Sequence, residues 1–176
     1  MSRIFGPARQ IGYVVDDLDS AIDRWLALGV GPFFRMNGLK TNYFRVGGQD
    51  VPLNLDVGIA NSGDMQIELI YQHDRAPTPY RRFLDRHGPG MHHLSVWSHH
   101  YDQAMADLHA IGRSPSVEGE VHVDGSTGIR FAYFEPAYEP ETMIEIADSA
   151  TIMGEFNKII RNAAIDWDGS DPVRVI

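Results

Sequence analysis

Apolar and polar positions follow the same order twice along this chain, which predicts two copies of one structural unit. Residues 10–15 are a short apolar run with β-branched side chains, typical of a strand, and residues 89–97 repeat the pattern. After each run, apolar residues recur at spacings of three and four and predict a helix with one buried face. These residues are Leu18, Ala21, Ile22, Trp25 and Leu28 in the first copy, and Tyr101, Ala104, Met105, Leu108 and Ile111 in the second.

Further strands complete each copy. Residues 51–59 alternate between apolar and polar, which predicts a strand with one buried face. Residues 61–64 have the composition of a hairpin turn and lead into a strand over residues 65–71. The second copy has comparable strands over residues 129–134 and 143–146. The predicted order is therefore strand, helix and about three strands, twice, which indicates an α+β fold.

The two copies align almost without gaps. A shift of 83 residues (102 − 19) places Asp19 on Asp102, and the same shift places Gly29 on Gly112 and Pro32 on Pro115. The closing strands align at a shift of 77 (145 − 68), so a loop of the second copy is six residues shorter (83 − 77). A helix stop, a proline and a strand glutamate rarely align at nearly one offset by chance, so we interpret the chain as an internal duplication.

The duplication predicts a division of the chain into consecutive segments. We expect a first module over residues 1–76, a linker over 77–90, a second module over 91–148, and a C-terminal helix and tail over 149–176, with both modules in one structural domain. The linker carries a short helix that begins near Thr78 and Pro79 and stops at Gly88. The tail helix has an apolar face made of Ile152, Phe156, Ile159, Ile160 and Ala163.

Composition narrows the classes of partner and chemistry. The net charge of −9 opposes binding to a polyanion, so we expect no nucleic acid partner. The chain has no run of about 18 apolar residues, so no membrane span is predicted, and its N-terminus lacks the apolar core of a signal peptide. We therefore expect a cytoplasmic protein without a membrane partner. Because the chain has no cysteine, any metal must be held by nitrogen and oxygen ligands.

The repeat singles out four polar residues. Each copy has one on its first strand, Gln10 or His93, and a glutamate on its last strand, Glu68 or Glu145. Each glutamate lies between apolar neighbours, where an ionised carboxylate on the core side is costly unless it is paired or bound to a cation. If the modules pack about a pseudo-twofold axis, the four side chains converge on one cleft. One imidazole, one amide oxygen and two carboxylates suit a divalent ion such as Zn, Ni, Co, Mn or Fe.

Structural roles compete with this interpretation. A single strand glutamate most often faces solvent, and His92 and His93 can be one exposed and one hydrogen-bonded core histidine. The alignment with Gln10 selects His93 over His92 as the ligand.

Two other clusters are assigned structural roles. His99 and His100 align with Asp16 and Asp17 at the start of a helix, so we interpret them as cap residues. Arg81, Arg82 and Arg86 fit a solvated helix face, with binding of a carboxylate or phosphate as the alternative.

These motifs resemble the vicinal oxygen chelate superfamily, the glyoxalase, bleomycin-resistance and dioxygenase fold. The similar segments are Gln10 to Ala21, Gly90 to Ser95, and the strands around Glu68 and Glu145. The resemblance implies two tandem βαβββ modules related by a pseudo-twofold axis, with mixed sheets curled around a central cleft. It also implies a divalent metal ion held by Gln10, Glu68, His93 and Glu145. Many members have histidine at the first position, so Gln10 is a departure.

The resemblance also implies a class of reaction. The ligand set is similar to that of the eukaryotic type of glyoxalase I, and the overall pattern is similar to methylmalonyl-CoA epimerases, which tend to have His first and Gln second. In both relatives a proton is removed next to a carbonyl while the metal stabilises the enediolate. Glu145 is then the first choice for the base, with Glu68 across the metal from it.

The implied partners are a small-molecule substrate, such as a glutathione- or CoA-linked one, and a second copy in a homodimer. The family contains clefts built within one chain and clefts built across a dimer, and both remain open. No loop carries a glutathione or CoA signature.

Two other classes share this fold. An extradiol-type dioxygenase needs two histidines and a carboxylate around iron, and Gln10 stands where the second histidine is expected. A metal-free binding protein of the resistance type does not need both strand glutamates.

Overall fold

The computed structural model describes residue 4, residues 6–135 and residues 142–176, which form one mixed sheet and four helices. The strands are β1 (Ala8–Val15), β2 (Phe33–Met36), β3 (Thr41–Val46), β4 (Gln49–Asp50), β5 (Leu55–Ser62), β6 (Met65–Gln72), β7 (Gly90–Ser98), β8 (Val117–Val121), β9 (Ile129–Phe134), β10 (Met143–Asp148) and β11 (Val173–Val175). The helices are α1 (Leu18–Ala27), α2 (Pro79–His87), α3 (Tyr101–Ala110) and α4 (Met153–Ala163). The strands lie in the order β11-β2-β5-β6-β1-β7-β10-β9-β8-β3-β4.

The centre of the sheet has the predicted pseudo-twofold symmetry. β1 and β7 pair antiparallel, and each has the closing strand of its own module beside it in parallel, β6 beside β1 and β10 beside β7. Gln10 lies opposite Gln66, and His93 lies opposite Met143. These two pairs are related by the shifts of 83 and 77, so two βαβββ modules curl around one cleft and are joined within a single chain.

Hydrophobic faces explain where the helices pack. Asp17 caps α1 by accepting a hydrogen bond from the Ser20 N–H at 2.7 Å. The apolar face of α1 covers Ile67 and Leu69 of β6, and α3 covers the corresponding side of the second module. Gln66, Glu68 and Ile70 alternate with Ile67 and Leu69, so they lie on the opposite, concave side of the sheet.

The first module carries a hairpin that the sequence pattern did not indicate. β3 follows β2 in the chain but pairs with β8 at the far edge of the second module. Residues 37–40 make this crossover, and residues 38–40 line the cleft. The crossover is held by a hydrogen bond from Leu39 N–H to the Leu55 carbonyl and another from His122 N–H to the Lys40 carbonyl. The crossover therefore narrows the open side of the curled sheet.

Two local predictions need correction. The strand predicted from Val51 begins at Leu55, because the Val51 N–H bonds to the Phe44 carbonyl beside the β3–β4 hairpin. Some residues predicted on apolar helix faces are exposed instead, because they lie at helix ends or on the outer side of α4: Leu28, Ile111, Ile152 and Ile159. Phe156 and Ile160 of α4 pack into the core as predicted. None of the helices in the described ranges is long and apolar enough to cross a membrane.

Candidate active site

The four residues singled out by the repeat come together on the concave side of the sheet. His93 is fully buried, and its Nε2 lies 3.3 Å from Glu68 Oε2 and 3.7 Å from Glu145 Oε2. Gln10 lies two positions before Gly12, which is the residue opposite His93 across the β1–β7 pair. Gln10, Glu68 and Glu145 line one cleft of about 540 Å³. Both modules of one chain therefore contribute to the same site.

Gly12 makes room for the His93 imidazole. A Cβ at position 12 would lie 1.9 Å from His93 Cε1 and 2.3 Å from its Nε2, which no side chain can accommodate without displacing the ring. In the second module the equivalent position is Ser95, which lies opposite Glu145. The two modules therefore differ at this position, because only the first one has a glycine where the His93 ring needs space.

A β-bulge turns both histidines inward. Gly12 pairs with His93 but Tyr13 pairs with Met91, so His92 is the extra residue in β7. His92 is 1% exposed and packs against the rings of Tyr80 and Phe83. Its Nδ1 lies 3.1 Å from Nδ1 of His93. A cation on Nε2 of His93 requires the ring proton on Nδ1, and His92 can accept that hydrogen bond.

Burial and neighbouring charges shift the titration of these groups. Burial holds the pKa of His92 well below its usual range, so His92 stays neutral. Burial alone would also lower the pKa of His93, but the carboxylates of Glu145 and Glu68 outweigh it and raise the pKa. Burial raises the pKa of Glu145 despite the opposing effect of His93. A carboxyl group shifted in this direction is suited to act as a general base.

Two tyrosines enclose the histidine pair. The Tyr133 ring centroid is 5.1 Å from that of His93, and the Tyr133 and Tyr80 hydroxyls lie 3.0 Å apart. Burial raises the pKa of both phenols well above the usual value, so both remain protonated hydrogen-bond donors. They form a dry wall behind His93 that excludes water from the ring.

A chain of amides connects Gln10 to the C-terminal helix. Gln10 Nε2 donates to Gln66 Oε1 at 2.7 Å, and Gln66 Nε2 donates to Asn157 Oδ1 of α4 at 3.1 Å. All three side chains are buried. Because its amide nitrogen is engaged by Gln66, Gln10 has its carbonyl oxygen left for a ligand.

The donors fit a divalent cation. His93 Nε2 is buried, and its contacts with Glu68 and Glu145 do not have the geometry of a hydrogen bond, so the atom can bind a cation between these carboxylates. Two ligands that each lie about 2.1 Å from one ion are about 3 to 3.4 Å apart, close to the separation of His93 Nε2 from Glu68. As they stand, the described residues include no group of three or more His, Asp or Glu side chains already arranged to hold a metal ion. The residues that could hold one are Gln10, Glu68, His93 and Glu145.

The other sequence clusters lie away from this site. His100 is the N-cap residue of α3, although its side chain makes no capping bond, and His99 Nδ1 lies 3.4 Å from the Ser149 hydroxyl. Arg81 pairs with Asp85 within α2, and Arg82 is exposed. Arg81 and Arg82 therefore lie on a helix face as expected, whereas neither His99 nor His100 caps α3 through its side chain.

Sequence reasoning missed Gln66, Asn157 and Tyr133. Gln66 lies two residues before Glu68 on the same face of β6, which is a usable signal for a site residue. Asn157 follows Phe156 on the inner side of α4, where a lone amide in an apolar face is unusual. Tyr133 had no distinguishing pattern in the apolar strand β9.

A comparison with known protein families identifies a superfamily that matches most of this chain. The family model described as the Glyoxalase/Bleomycin resistance protein/Dioxygenase superfamily matches residues 9–133. A comparison with curated proteins gave no match.

Several solved structures are similar to this chain in fold. Methylmalonyl-CoA epimerase from Mycobacterium tuberculosis has a TM-score of 0.55 at 18% identity, over 84% of this chain and 91% of that one. A hypothetical protein from Bacillus halodurans C-125 has a TM-score of 0.54 at 15% identity, over 81% and 93%. A methylmalonyl-CoA epimerase in complex with methylmalonyl-CoA and NH4+ has a TM-score of 0.53 at 18% identity, over 83% and 96%. At these identities the likeness concerns the fold.

Proposed function

The chain belongs to the Glyoxalase/Bleomycin resistance protein/Dioxygenase superfamily, and we propose that it is a divalent-metal-dependent lyase or isomerase that removes a proton next to a carbonyl group. The observation that carries this proposal is Nε2 of the buried His93, which makes no well-aligned hydrogen bond and has a carboxylate from each module within 4 Å. The likeness to epimerase structures supports the same class of chemistry.

The four side chains divide into distinct roles in this proposal. Gln10, Glu68, His93 and Glu145 would hold the metal, which supplies Lewis-acid stabilisation of the charge that develops on the substrate oxygen. Glu145 takes the proton, since its carboxylate lies in the cleft, 3.7 Å from Nε2 of His93. Glu68, on the equivalent strand of the other module, is placed to return a proton to the same carbon or to its neighbour. Tyr133 and Tyr80 exclude water behind His93.

Deuterium exchange tests the proposed step. The purified chain is loaded with Zn, Ni, Co, Mn or Fe and incubated in D₂O with a glutathione hemithioacetal, an acyl-CoA or benzylacetone, and deuterium next to the carbonyl is measured by NMR. We expect metal-dependent exchange with one of these compounds, and Glu145→Gln should slow it by at least about 10² to 10⁴-fold because it removes both the base and a ligand of the metal.

Glu118→Gln is the matched control for that variant. Glu118 is an exposed strand glutamate on β8, away from the cleft lining, and its substitution should leave the exchange rate unchanged. Exchange that is absent for all three compounds in the metal-loaded chain contradicts the proposal.

A metal-free binding protein is the second candidate. It is favoured by the absence, among the described residues, of three His, Asp or Glu side chains already arranged around one point. In that case a protonated His93 between Glu68 and Glu145 balances the buried charge. An intact fold and retained ligand binding in Glu68→Gln and Glu145→Gln would favour this candidate.

A further inference from the structure

The cleft above the four polar residues points to the kind of molecule that enters it. We infer that the substrate is a compact, largely apolar carbonyl compound without an anionic carrier such as CoA or glutathione. The inference rests on the proposed function, because it concerns the substrate of that same site.

The walls of the cleft are apolar on both sides. β5 contributes Val57 and Ile59, β9 contributes Phe131, and α4 contributes Phe156 from across the cleft. The polar lining includes Glu68 and Glu145 of the candidate site, and also Lys40, His122 and Asp124. A ligand that fills about 540 Å³ between these walls must therefore bury a mainly apolar body and keep its reactive polar group at the carboxylates.

The charges around the cleft oppose an anionic carrier. Lys40 is the sole lysine or arginine among the lining residues that the structure describes. His122 also lines the cleft, but its Nε2 contacts Asp124 at 2.9 Å and its Nδ1 contacts Asn42 at 2.8 Å. The phosphates of CoA or the carboxylates of glutathione are normally bound by several arginines or lysines. Here they would meet Lys40 as the one cationic side chain of the described lining, together with the carboxylate of Asp124.

A buried donor supplies a second observation. Asn157 is 7% exposed and lines the cleft, and its Nδ2 has no hydrogen-bond partner. Its oxygen already accepts from Gln66, so Nδ2 is the atom left for a ligand. An unpaired buried amide N–H is costly, and a carbonyl oxygen of the substrate would satisfy it.

Equilibrium dialysis with matched probes tests the inference. Benzylacetone is an uncharged apolar ketone, butylbenzene has a similar shape without the carbonyl, and acetyl-CoA has a carbonyl on an anionic carrier. The metal-loaded full chain should bind benzylacetone at least about tenfold more tightly than acetyl-CoA. Tighter binding of acetyl-CoA would overturn the inference.

Variants in α4 locate the binding. Phe156→Ala should weaken benzylacetone binding by about tenfold through lost apolar contact. Ile159→Ala, on the exposed side of the same helix, should leave it unchanged. Asn157→Leu should weaken binding of benzylacetone but not of butylbenzene. Equal effects of Phe156→Ala and Ile159→Ala would place the ligand outside the cleft and overturn the inference.

Metal binding and deuterium exchange on the same samples separate this inference from the proposed function. A chain that binds metal and exchanges protons of an acyl-CoA retains the proposed function and overturns the apolar substrate class. A chain that binds benzylacetone in the cleft without metal and without exchange supports the apolar ligand class and contradicts the proposed function.

Discussion

The space above Gly12 decides where the His93 imidazole can lie. His93 is opposite Gly12 in the β1–β7 pair, and its ring occupies the volume that a side chain at position 12 would need. Gly12 is not among the glycines with positive φ, so its role is steric.

Substitution of Gly12 by alanine should displace the imidazole. The added Cβ would lie 1.9 Å from the ring, and overpacking of this kind typically costs about 1 to 3 kcal/mol in the free energy of unfolding. Urea denaturation measures this loss, and a metal titration should show weaker binding. Gly90→Ala is the control, because its Cβ would be 3.6 Å from the Phe83 ring, an ordinary contact. Equal stability of Gly12→Ala and Gly90→Ala would contradict this account.

The alignment selected His93, which lies beside both glutamates, but it could not place His92. Strict alternation along β7 puts adjacent side chains on opposite faces. The bulge at His92 turns both rings inward, and it depends on the pairing of β1 with β7, which is not visible in local sequence.

Asp56 should make the stability of the chain sensitive to acid. Burial would raise its pKa, but hydrogen bonds from His73 and the Gly38 N–H, with Arg35 nearby, hold the pKa below its ordinary value. Because the pKa is lower in the folded state, ionised Asp56 stabilises the fold at pH values above the unfolded-state pKa of about 3.9. This stabilisation is lost as the pH falls through the folded-state pKa.

The comparison of Asp56→Asn with the parent chain measures this contribution. At pH 7 we expect a loss of about 2 kcal/mol in the free energy of unfolding, because charge-assisted bonds become neutral ones. Near pH 3 the difference should shrink as Asp56 itself becomes protonated. A difference that stays constant from pH 7 to pH 3 would rule out a carboxylate effect.

At the scale of elements, α4 supports the site through the amide chain. Asn157 holds Gln66, and Gln66 holds Gln10, so the helix fixes the direction of the Gln10 carbonyl. Groups that orient a metal ligand typically contribute about 10 to 100-fold to metal affinity.

The variant Gln66→Met tests this link, since Met143 occupies the equivalent position in the second module. We expect metal affinity to fall by about tenfold, because Gln10 loses the partner of its amide nitrogen. Calorimetric titration with Zn measures the change. Tyr71→Phe on the same strand is the control and should bind Zn as the parent chain does. Unchanged affinity in Gln66→Met would show that α4 does not orient Gln10.

Elements with a regular pattern were predictable and the others were not. The period of α1 and its Asp17 cap predicted a helix that the structure confirms. The sequence pattern did not predict β3, whose partner β8 lies more than 70 residues away in the chain. Only long-range pairing makes that segment a strand.

At the scale of the whole molecule, the duplication explains why four distant residues meet. Symmetry about the β1–β7 pair brings Gln10 together with His93 and Glu68 together with Glu145, and all four belong to one chain. The repeat offset made these positions predictable from sequence alone. The third component of the cleft, α4 with Asn157, lies outside the repeat and has no counterpart from which it could be inferred.

Metal stoichiometry of the purified full chain tests the central claim most directly. After exposure to Zn, Ni, Co, Mn or Fe and dialysis, elemental analysis should find one divalent ion per chain. His93→Ala and Glu145→Gln should retain the fold, as judged by circular dichroism, and lose the ion. No retained ion in the folded parent chain, or equal metal content in the parent and both variants, would contradict a metal site formed by the two modules.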